Sequence, residues 1–247
     1  MKKSQLAKLG LTLGLAGAVG VGGTLAILSQ PSGAVVNTFT VGAGLQANDI
    51  WLDETNLAGK PLDSAMSDEE RTTKGNAYND LQPGMRLTKD PQVHITAKAA
   101  DSYVFAKLEN VDEYLKKVNE GVVEEDKKSS LINNINENWK VYKLDKNATY
   151  DGVYMYAGKT NEAKGIKAKE GEGSKVSVGE KAFDSEKIFE GINLSTSAAL
   201  YKADGTPKTF DDEKIVVKAL AVQATEASSS WKDAKAVVDK FTWPADK

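Results

Sequence analysis

Alternation of apolar and polar residues dominates most of the chain. In "AVVNTFTVG" Val35, Phe39 and Val41 share one face and Val36, Thr38 and Thr40 the other, which is the period of a β-strand. "QVHITAK" sets Val93, Ile95 and Ala97 inward and His94, Thr96 and Lys98 outward, so His94 is expected as a solvent-facing histidine. "SYVFAKL" follows after a short "AAD" connection, as in a hairpin or a neighbouring strand. "WKVYKL", "GVYMYAG", "SKVSVG" and "EKIVVKALAVQA" read as further strands. The last is apolar on both faces, as befits a strand buried in the middle of a sandwich.

Two segments change period. Val111, Tyr114, Leu115, Val118 and Val122, then Leu131, Ile132, Ile135 and Trp139, fall at helical spacing around the charged run "EEDKKSS". They predict a helical insertion over about 111–139, with Asn110 and Glu113 as a capping pair. "SSSWKDAKAVVDKF" places Trp231, Ala234, Val238 and Phe241 on one helical face behind serines, predicting a short C-terminal helix. Two polar, glycine-containing stretches, "NLAGKPLDSAMSDEERTTKGNAYND" and "KTNEAKGIKAKEGEGSK", read as loops. The pattern predicts an all-β fold: a two-sheet sandwich carrying the helical insertion.

The N-terminus follows neither rhythm. "MKKSQLAK" and then "LGLTLGLAGAVGVGGTLA" have the basic and apolar regions of an export signal, with cleavage expected after Ala26. The expected organisation is a signal peptide over 1–26 and a single domain over 27–247, touching a membrane only through the uncleaved leader. Removing Lys2, Lys3 and Lys8 with the leader takes 32 basic residues to 29 against 35 acidic, a net of −6. An acidic surface argues against nucleic acid as a partner, since phosphate binding needs a basic face.

Catalytic chemistry has little to work with. The chain has no cysteine and one histidine, and no HExxH helix or GxSxG elbow. No catalytic residue, metal ligand set or cofactor is expected. The stretch "DIWLDE" (Asp49, Asp53, Glu54) has the oxygen ligands for a hard cation without EF-hand spacing, and reads as solvated carboxylates.

The leader ending "GGTLA", the "NTFTVG" strand, "LQPGMRLTKDPQVHITAKAADSYVFAKL" with Pro83, Gly84, Lys89, Asp90 and Pro91, "DGVYMYAG", and "KIVVKALAVQA" with its tryptophan- and alanine-containing tail occur in this order. In this order they resemble the TasA/camelysin family of Gram-positive exported proteins, and within it the BsaA-type biofilm matrix pilins. The resemblance implies a jelly-roll-like two-sheet sandwich, processing by the signal peptidase SipW, secretion into the biofilm matrix and polymerisation into fibres. Camelysins also carry a metalloprotease label, which makes a secreted protease the alternative expectation.

The expected mode of assembly follows from the mature N-terminus, "ILSQPSGAVVNTFTVG". Ile27, Leu28, Val35 and Val36 gain nothing as an exposed tail. Inserted as a donor strand (27–36) into the sheet of the next copy, they would bury apolar surface and satisfy an open edge. Such a segment contributes on the order of 10 kcal/mol before ordering costs. Pro31 and Gly33 would form the hinge. A contact of this kind is heterologous and propagates head to tail into a homopolymer. Lys–Asn or Lys–Asp isopeptide bonds between subunits could staple the fibre, though the sequence singles out no pair.

Overall fold

The computed structural model describes residues 24–27, 35–41, 49–97, 99–158, 171–178, 181–210, 213–224 and 230–243. Among them the fold is mostly β, with three sheets and two short helices. The largest sheet has six strands in the order β1-β2-β13-β7-β10-β9. These are β1 (Thr24–Ile27), β2 (Val35–Val41), β7 (Ser102–Glu109), β9 (Trp139–Leu144), β10 (Gly152–Tyr156) and β13 (Val216–Gln223). A four-stranded sheet runs β11 (Phe183–Asp184), β6 (Gln92–Ile95), β3 (Ile50–Thr55), β4 (Arg71–Thr72). A three-stranded sheet runs β5 (Arg86–Thr88), β12 (Gly191–Asn193), β8 (Ser130–Leu131).

The six-stranded sheet is organised around β7 and β13, paired antiparallel in register from Val216↔Glu109 to Gln223↔Ser102. Alternation along both strands feeds two cores. Val104, Ala106, Leu108, Val217, Ala219 and Ala221 belong to the main core, which Leu52, Val93 and Ile95 complete from the four-stranded sheet. Tyr103, Phe105, Leu220 and Val222 face the opposite way and are covered by Ala234 and Val238 of the C-terminal helix α2 (Ser230–Val238), with Trp231 stacked on Phe105. The strand read as apolar on both faces is buried on both faces, and the C-terminal helix lies where its stripe predicts.

The helical insertion over 111–139 is corrected. Only α1 (Val111–Val118) forms a helix there. Beyond it come a 3-10 turn at Glu125–Lys127, β8, and β9 opening at Trp139. The later backbone bonds across the fold instead: Ile132 N–H donates to Gly191 O and Asn136 N–H to Ile188 O. Those tertiary partners outweigh the helical spacing of Leu131, Ile132 and Ile135.

The Asn110–Glu113 capping pair does not form. Asn110 is left-handed (φ 66°) and its amide donates to Lys214 O. Asp151 caps the helix from a distance, accepting from the N–H groups of Val111 (2.8 Å) and Asp112 (3.3 Å). "QVHITAK" and "SYVFAKL" are not a hairpin either. β6 pairs with β3 and β11 while β7 pairs with β10 and β13, so the two strands belong to different sheets. "SKVSVG" supplies only an isolated bridge, Ser102↔Val176.

Candidate functional site

The strand that decides how the N-terminus is held is β13. One side is saturated by β7; on the other it takes β2 in parallel, Val217↔Val35, Lys218↔Val36 and Ala219↔Asn37. This is the one parallel pairing among the described strands, and it joins the two ends of the chain. β1 lies outside β2 in antiparallel register, from Thr24↔Val41 to Ile27↔Thr38. Ala26, the expected cleavage point, is thus opposite Phe39 within a ladder. The donor residues fall on two strands: Ile27 ends β1, and Val35 and Val36 begin β2. Leu28, Pro31 and Gly33 lie outside the described residues.

The other edge of this sheet is β9, which carries charge. β9 exposes Lys140 and Lys143 together with Val141 and Leu144, and the lysines weaken its pairing with another chain.

A second feature lies on the four-stranded sheet. β3 alternates Ile50, Leu52 and Glu54 on the core side with Trp51, Asp53 and Thr55 on the other. His94, expected at the surface, is buried at 7% exposure. Its Nε2 is 2.8 Å from Asp53 Oδ1 and its Nδ1 2.6 Å from Asp184 Oδ1, and its ring stacks on Trp51 at 5.0 Å. The alternation identified its face correctly, but Trp51 covers that face. Burial pulls the His94 pKa down, yet the hydrogen bonds to Asp53 and Asp184 outweigh it and hold the value above the ordinary one.

Two of the carboxylates of "DIWLDE", Asp53 and Glu54, are buried and not solvated, while Asp49 is half-buried. Arg71 Nε donates to Asp53 at 2.5 Å, and Arg71 Nη1 donates to Asp90 at 2.9 Å. Asp90 also accepts from Thr55 N–H (2.7 Å) and Thr55 Oγ1 (3.0 Å). Burial pushes Asp53 upward, but His94 and Arg71 prevail and hold its carboxyl below the usual range. Glu54, fully buried on the other face, pairs with Lys89 at 3.0 Å, and Asp49 accepts from Thr96 Oγ1 at 2.8 Å. The protein's own cations fill the places a bound cation would take. Among the described residues no group of three or more His, Asp or Glu side chains is set to hold a metal.

Sequence reasoning missed β3 and Arg71, and singled out Asp90 only as part of the stretch that carries the family resemblance. Arg71 lay inside a stretch read as a loop, and its only signal was being a lone arginine among acids. Chemically, the His94 cluster ties β3, β4, β6 and β11 together and presents no free nucleophile. A groove of about 830 Å³ opens elsewhere, lined by Asn76, Tyr78, Lys89, Tyr114 and Phe210 among others. Comparison with protein-family models, with curated proteins and with solved structures finds no match to this chain.

Proposed function

We propose that this chain is a secreted structural subunit which polymerises into extracellular fibres of a biofilm matrix by exchanging its N-terminal strand. The carrying observation is the position of β2, whose ladder partner in the body is β13, paired in parallel, and which is flanked outside by β1, most of which is leader. Cleavage after Ala26 would remove three of the four β1 residues and leave β2 with an open outer edge. The contacts that β2 makes with β13 are available equally to β2 of another copy, because no hairpin ties these two strands together.

On this reading the fold is a jelly-roll-like sandwich whose open sheet is completed by a neighbour. Its partners are further copies of itself, head to tail, and the leader peptidase (SipW in the family it resembles) during export. It acts by assembly and not by catalysis.

Negative-stain microscopy of protein bearing the mature N-terminus tests this. Fibres are expected from the processed chain. A variant lacking Ile27 to Val36 should keep its far-ultraviolet circular dichroism and run as a monomer without fibres. Normal fibres from that deletion would refute strand exchange.

A further inference from the structure

Glu54 joins two groups that are otherwise unrelated. Its Oε2 accepts from Lys89 Nζ at 3.0 Å, and its Oε1 accepts from Asn76 Nδ2 at 2.9 Å and from Asn76 N–H at 2.9 Å. Glu54 is 0% exposed and Lys89 4%. The carboxamide is held at its other atoms too: Asn76 Oδ1 accepts from Leu57 N–H at 2.7 Å, and Nδ2 also donates to Thr55 O at 2.7 Å. The Tyr78 ring lies 5.9 Å from Nζ. An amine, a carboxamide and a carboxylate touching both thus meet, with Lys89 and Glu54 buried and Asn76 half-buried.

We propose that Lys89 and Asn76 join in an intramolecular isopeptide bond, with Glu54 carrying the protons. Glu54 takes a proton from the Lys89 ammonium, which replaces a buried ion pair by a neutral pair and removes the cost of two desolvated charges. The free amine attacks Asn76 Cγ. As the Nζ–Cγ bond forms, negative charge gathers on Oδ1, where the Leu57 N–H already points. Glu54 returns its proton to Nδ2, the Cγ–Nδ2 bond breaks, and ammonia leaves. The second proton shed by Nζ departs with it as ammonium, so Glu54 ends as the carboxylate it began. No oxidant or cofactor enters. Asn76 and Lys89 both line the groove, which gives ammonia a way out.

A buried lysine–glutamate pair alone would be an ordinary ion pair. The distinguishing feature is the carboxamide on the second oxygen of the same carboxylate, with its carbonyl oxygen already hydrogen-bonded. Such a bond would clip the long connection after β3 to the strand that ends at Thr88, in a chain with no cysteine to do so. It lies within one subunit and is independent of the fibre reading.

Mass spectrometry of the purified, folded chain after denaturation decides the matter. The expected mass is the residue sum less one ammonia. Trypsin cuts after Lys74 and Arg86, so the linked form should appear as residues 75–86 carried as a branch on residues 87–98, with Lys89 uncut. Glu54→Gln and Lys89→Met, where they fold, should give the full residue sum and only linear peptides. A wild-type chain of full mass with linear peptides overturns the proposal, as does an ammonia loss that maps to any other peptide.

Discussion

At the scale of single residues, the His94 cluster makes stability depend on pH in a defined sense. The folded pKa of His94 lies above its ordinary value, so its stabilising charge is fully present below about pH 6.5 and fades as the pH rises through the folded value. Asp53 runs the other way: held low, it stabilises above about pH 3.9 and loses that contribution as the pH falls through its folded value. The urea midpoint should therefore decline as the pH rises above about 6.5, and His94→Gln should flatten that decline. Arg71 is the larger liability. Arg71→Met would strand Asp53 and Asp90 without their shared cation and should cost about 3–5 kcal/mol in equilibrium unfolding. Little of this was legible in the sequence. Alternation sorts residues by face, and it placed His94 on the correct one. It says nothing of what covers that face, and the covering groups come from 41 residues upstream at Asp53 and 90 downstream at Asp184.

At the scale of elements, α1 shows why local pattern succeeds for one turn of chain and fails for the next. Val111, Tyr114, Leu115 and Val118 are buried as their spacing demands. The same spacing in Leu131 to Trp139 is overruled because those backbone groups find partners at Ile188 and Gly191. The helix start is likewise set from outside. Asp151 accepts from Val111 and Asp112, while Asp112 accepts from the N–H groups of Thr149, Tyr150 and Asp151, a reciprocal cap between segments 39 residues apart. Burial, with Asp112 adding, pushes the Asp151 carboxyl up to about 6. Asp151→Ala should cost about 0.5–2 kcal/mol, read at pH 7 from urea unfolding, with far-ultraviolet loss limited to a short helix. Gly152 beside it cannot be replaced freely, since φ is 145° and a Cβ would meet Lys143 O at 2.5 Å.

At the scale of the whole molecule, the β class and the central, doubly buried strand were readable because each apolar alternation is local. The pairing of strands was not. "QVHITAK" and "SYVFAKL" adjoin in sequence yet belong to different sheets, and β2, an early strand, sits against the last, β13. That last contact has a mechanical consequence. β2 and β13 run in the same direction, so tension applied to the chain's start and its end pulls the two strands lengthwise past each other. Loaded in shear, their hydrogen bonds share the force at once, whereas a hairpin pulled from its open end peels one rung at a time. A thread built from such joints would be toughest along its own axis, the direction in which a matrix is stretched.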